Sequence, residues 1–285
     1  MMKPKQRLTT AGMSFGFFLV LAVASPLSGQ QPAASTDSPV VQTPSDPLAS
    51  LNSENRALFD ALRKSAQQND DAATLTSGKQ LLPALKSGTK LCDFVTQLTA
   101  GAAVETGDIA YALTLLKPLT DSHPDDWHTT SLLARAYAER GDKSLRDLQV
   151  AHMIDLHKKT SDPAFSKLHV FPIQKVALHS GYAVFLYPFD PLGRENTYLI
   201  ALIYTNAGKE DYRIELESAD VDQAFFKAKH PGERRFSIDS YRESDVNGKF
   251  AESQALHGFV DGVFNYDTMR DRMVETANDG KSSAK

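Results

Sequence analysis

The chain has 285 residues, enough for two modest domains, and its 41% hydrophobic and 23% charged content is that of a folded protein. Its formal net charge is −4, and removal of the basic N-terminus makes it more negative. A mildly acidic protein lacks the basic surface that sequence-independent nucleic-acid binding and anionic lipid recognition require. We therefore expect no nucleic-acid partner.

The N-terminus has the three parts of an export signal. Lys3, Lys5 and Arg7 form a positive start, and an apolar stretch follows from Met13 to Ala24. The small residues of Ala22-Val23-Ala24 predict cleavage after Ala24. The apolar core is about a dozen residues, short of the roughly 20 that cross a bilayer. We predict an exported protein, periplasmic or secreted, with no membrane span after cleavage; a retained N-terminal anchor is the alternative.

Residues 25–50 contain five prolines and six serines, which predicts a disordered linker, and residues 279–285 predict a disordered tail. Cys92 is the only cysteine, so the chain cannot close an internal disulfide. We interpret Cys92 as a small buried apolar residue at a helix start. An intermolecular disulfide or a reactive thiol is the alternative.

Helical periodicity begins near residue 51. Ser53 is the expected N-cap of a first helix, and Asn69-Asp70-Asp71 is interpreted as a break after it. A second helix is expected from Asp71 to Leu85, where Pro83 should shorten or kink it.

Gly107-Asp108 and Gly141-Asp142 each separate two helical patterns, and the two glycines are 34 residues apart. The apolar and small residues around these turns recur in matching places. In the first unit they are Ala112, Leu116, Leu119 and the terminal Pro124; in the second they are Leu133, Ala134, Tyr137, Val150 and Met153.

This 34-residue pattern resembles the tetratricopeptide repeat, a helix–turn–helix unit. The resemblance covers residues 93–158 in two degenerate units, and residues 51–87 are a candidate third, which gives a helical domain over 51–160. Thr99 and Ala103 replace a leucine and a tyrosine of the pattern, and Arg146 and Lys158 replace a small residue and a proline. An irregular stack of helical hairpins is the alternative interpretation.

After residue 160 the pattern becomes that of β-strands. Strands are expected at 170–178, 182–189, 198–204, around 212–216, around Phe236 and at 257–264, with a closing helix at 268–277. Residues 221–229 fit either a strand or a helix. Hairpin connections favour antiparallel pairing in a meander, open barrel or sandwich over 165–278. The predicted fold class is therefore α+β, with helical hairpins followed by a β-rich domain and a C-terminal helix.

The sequence contains no strained-turn serine motif, zinc-protease motif or phosphate-binding loop. His123 and His128, like His152 and His157, are five residues apart, roughly 140° around a helix. We interpret these histidines as solvated surface residues. We therefore predict no catalytic residue, no metal site and no cofactor.

In tetratricopeptide arrays the inner face of each first helix lines a groove that holds a partner segment. By position, the resemblance places Gly101, Val104, Glu105 and Ala138 on that face, together with the proposed binding residues Phe94, Gln97, His128, Ser131, Arg135 and Glu139. We thus expect a non-enzymatic scaffold that binds an envelope or extracellular protein or peptide. A β domain or the first helices could instead cover this face. The alternative function is a small-molecule or lipid carrier, or an unrecognised hydrolase, with its site in the β domain.

Overall fold

The computed structural model describes residues 48–49, 51–190, 197–219, 229, 231, 233–243, 250–253 and 259–279. The fold class is α+β, as predicted: helical hairpins come first, then an antiparallel sheet and a closing helix. The chain divides into two compact units, residues 1–119 and 120–285. The boundary between these two units lies between Leu119 and Thr120.

Unit 1 is helical. It contains α1 (Ser53–Gln67), α2 (Asp71–Leu81), a 3-10 turn (Leu82–Ala84), α3 (Lys90–Glu105) and most of α4 (Ile109–Ser122). The N-cap of α1 is Asn52, not Ser53, because Asn52 Oδ1 accepts a hydrogen bond of 2.8 Å from the Asn55 amide. Pro83 lies in the 3-10 turn that ends α2, as its missing N–H predicts.

The core of unit 1 lies between α1, α2 and α3, where Phe59, Leu62, Leu81, Val95 and Leu98 are buried. Helices α2 and α3 are in close contact at Gly78. A Cβ atom added to Gly78 would lie 2.0 Å from the Thr99 hydroxyl oxygen, so no larger residue fits. The close approach also explains why Thr99, and not the expected leucine, stands at this position of α3.

Three helix–helix turns share one backbone geometry. Asn69, Gly107 and Gly141 have φ of 55°, 81° and 82°, in the left-handed region. In each turn the following aspartate donates its amide to the carbonyl five residues back, at 2.9, 2.8 and 2.9 Å. This is the hydrogen bond of a Schellman helix end. The break predicted at Asn69 is thus a third turn of the same kind.

Unit 2 begins with the hairpin of α5 (Trp127–Arg140) and α6 (Lys143–Lys159). The strands that follow are β1 (Val170–Leu178), β2 (Gly181–Pro188), β3 (Thr197–Thr205), β4 (Glu210–Ser218), β5 (Arg234–Glu243), β6 (Phe250–Ser253) and β7 (Phe259–Gly262), and α7 (Tyr266–Asp279) closes the unit. All pairs are antiparallel, β1 to β5 lie in sequence order, and both β6 and β7 pair with β5. The predicted strands are confirmed as a meander; β6 was not predicted, and residues 221–228 lie outside the described residues.

The β3–β4 hairpin is the clearest turn in the sheet. Gly208 adopts φ of 75°, and the Thr205 amide donates to the Lys209 carbonyl at 2.9 Å. On the neighbouring strand, a Cβ atom at Gly181 would lie 1.8 Å from the Tyr204 carbonyl oxygen. Glycine is therefore required where β2 passes β3.

One face of the sheet forms the core of unit 2 together with α5, α6 and α7. The buried members include Ala134, Ala138, Val150 and Met153 from the hairpin, Phe171, Phe185, Leu199, Ile214 and Phe236 from the sheet, and Met269 and Met273 from α7. Because the apolar residues of α5 and α6 share this core, the hairpin belongs with the sheet. This sharing is the physical reason why the α5–α6 hairpin falls in unit 2.

Candidate functional site

The predicted groove residues of unit 1 lie on α3. Phe94 is half-buried and packs against Phe59 of α1, with ring centroids 6.2 Å apart. Gln97 is also half-buried, whereas Gly101 and Val104 are buried. Phe94 therefore contributes to the core of unit 1, and Gln97 presents part of its side chain at the surface.

The predicted groove residues of unit 2 lie on α5. Ser131 and Arg135 are each only 8% exposed. His128 stacks on Trp127 with centroids 3.6 Å apart and lies 3.5 Å from a carboxylate oxygen of Asp126. Ser131 and Arg135 are thus largely covered by the protein, and His128 already contacts its neighbours Trp127 and Asp126.

Glu139 caps the edge of the sheet. Its carboxylate accepts a hydrogen bond of 2.9 Å from the amide of Lys175 on β1, and the Gln174 side chain donates to the Ala138 carbonyl at 3.3 Å. Unpaired amides on an edge strand invite pairing with another chain. The end of α5 therefore protects β1.

An aromatic cluster surrounds the start of α5. The Trp127 ring stacks on Phe165 at 4.6 Å with 2° between the planes, and Phe189 meets Phe165 edge-on at 5.5 Å. His157 of α6 stacks on Phe189 at 4.0 Å. The prediction of solvated histidines is thus wrong for His128 and His157. That prediction used only the angle around the helix between histidines five residues apart, and this angle does not show which aromatic rings each histidine packs against.

A buried ion pair joins α6 to α7. The guanidinium of Arg146 binds both carboxylate oxygens of Asp267 at 3.0 and 3.2 Å, with the two side chains 4% and 10% exposed. Arg270 binds the same carboxylate at 3.0 Å, and the Arg146 guanidinium lies 4.4 Å from the Tyr266 ring centre. Bidentate pairing of this kind is strong and directional. It explains why an arginine stands where the repeat pattern expects a small residue.

Burial raises the pKa of Asp267, but the hydrogen bonds and charge of Arg146, with help from Arg270 and Lys143, outweigh it and hold that pKa below its ordinary 3.8. Burial also raises the pKa of the Tyr187 hydroxyl to about 12, so this tyrosine stays neutral. In the ion pair of Arg146 and Asp267, the buried positive and negative charges thus compensate each other, which gives the pair a structural role.

The second face of the sheet changes from apolar to charged across the strands. Val184, Leu186, Ile200 and Leu202 are buried on β2 and β3. On β4 and β5, Glu215 stands directly opposite Asp239, and Arg213 binds Glu215 at 3.0 Å. The sheet register brings together two carboxylates that the sequence alone could not pair. Arg213 supplies the counter-charge for Glu215.

An open cleft lies between α1 and α2 in unit 1. Its volume is about 590 Å³, and it is lined by Glu54, Asn55, Ala57, Leu58 and Gln80. Because α1 and α2 run antiparallel, the first turn of α1 lies beside the last turn of α2. No sequence motif marks this cleft, because its residues are ordinary exposed helix residues until the hairpin brings them together.

Within the described ranges, no three His, Cys, Asp or Glu residues are grouped so that they could hold a metal ion. The helices of the described part of the chain also include none that is long and apolar enough to cross a membrane. Cys92 lies in the first turn of α3, half-buried, and its amide donates to the Thr89 hydroxyl at 3.2 Å. Cys92 is thus at a helix start, as expected, though it is less buried than expected.

Comparison of the chain with protein-family models, curated proteins and solved structures gives no match. The resemblance to tetratricopeptide repeats therefore stays a prediction.

Proposed function

We propose that this protein is an exported binding protein whose helical unit 1 holds a segment of a partner protein from the envelope or the extracellular space. The open cleft between α1 and α2 carries the proposal. Its polar residues Glu54, Asn55 and Gln80 make no side-chain hydrogen bond or ion pair to another described residue. Polar side chains that line a cleft and bind no other described side chain are available to a ligand.

The face of α5 is the competing place for the partner. Arg135 and Ser131 are nearly buried there, and Glu139 is used to cap the sheet edge. A partner would have to displace these contacts before it could bind α5. The cleft in unit 1 requires no such rearrangement, so we place the partner in unit 1, with Gln97 as a further surface residue of that unit.

The predicted export signal supports a partner outside the cytoplasm. The filled core of unit 2 favours binding by the helices over the carrier alternative, because the described inward residues of β1 to β5 pack against one another and against the helices. A carrier would need an enclosed cavity among these strands.

A photo-crosslinking experiment in the exporting cell tests this proposal. A photoreactive amino acid replaces Ala57 in the cleft, and a matched variant carries it at Ala72, an exposed alanine at the other end of the hairpin. We expect a discrete crosslinked species from position 57 and none from position 72. Equal crosslinking from both positions, or none from position 57, would contradict the proposal.

A further inference from the structure

We draw no further inference here: the strongest candidate, the exposed apolar surface patch of Leu145 and Leu148 on α6, lies outside the proposed site, and nothing in the described part of the structure shows what covers it.

Discussion

The ion pair between Arg146 and Asp267 should be the most sensitive charged contact in unit 2. Asp267→Asn leaves the Arg146 guanidinium, whose side chain is 4% exposed, without its bidentate partner. Removing one partner of a buried pair typically costs 3–5 kcal/mol. We expect about 3 kcal/mol here, at the low end, because Asp147 also binds Arg146, at 2.8 Å, and remains in place.

A loss of about 3 kcal/mol corresponds to a fall in Tm of roughly 6–12 °C for a unit of this size. Trp127 is the only tryptophan and stacks on Phe165 inside unit 2, so its fluorescence reports the unfolding of that unit. Asp271→Asn is the control. It removes the same charge from the same helix, but the Asp271 side chain is 62% exposed, and we expect a change within about 0.5 kcal/mol.

The double variant Arg146→Met with Asp267→Leu separates the two possible reasons for destabilisation. If the cost comes from an uncompensated buried charge, replacing both partners with apolar residues should recover most of the lost stability. Equal Tm values for Asp267→Asn and Asp271→Asn, or a double variant as unstable as the single one, would refute this reasoning.

Three further predictions concern pH and close packing. The folded-state pKa of Asp267 lies below its ordinary 3.8, so its ionised form stabilises unit 2 above pH 3.8. This contribution should disappear as the pH falls through the folded-state pKa. In an acid titration followed by Trp127 fluorescence, the wild type should therefore unfold at a higher pH than a variant with the apolar pair at 146 and 267. Gly78→Ala should destabilise unit 1 by about 1–3 kcal/mol in denaturant unfolding, because its Cβ would meet the Thr99 side chain, and a second change, Thr99→Ala, should recover part of the loss. Gly181→Ala should destabilise unit 2 with no such rescue from Tyr204→Phe, since the clash is with the Tyr204 backbone oxygen; a stable Gly181→Ala protein would contradict the β2–β3 register.

The strands and turns of this protein could be predicted because their signals are local. Alternation over 212–216 and the Asn-Ala-Gly-Lys connection define β4 and its hairpin without reference to the rest of the chain. The four residues of β6 carry too short a pattern to be recognised. Asn69 was not equated with Gly107 and Gly141, because asparagine enters the left-handed region less readily than glycine does.

The sequence could not predict which element the apolar face of each helix packs against. Ala134 and Ala138 fit a repeat helix whichever neighbour they meet, and only the structure shows that they share a core with β-strands. The cleft between α1 and α2 was missed for a related reason. Glu54 and Gln80 are 26 residues apart and belong to no motif, so their proximity follows from the hairpin alone.

Two residues that depart from the repeat pattern, Thr99 and Arg146, have clear structural partners. Thr99 permits the close approach of Gly78, and Arg146 supplies the ion pair that holds α7 against α6. At each of these two positions, the residue makes a contact specific to its own unit instead of the apolar packing that the repeat pattern expects. In unit 2 the face of α5 is also committed, since Glu139 caps β1 and Arg135 is nearly buried. The last hairpin therefore serves as part of the sheet domain, and for this reason our proposal assigns the partner to the polar residues of α1 and α2 that line the cleft.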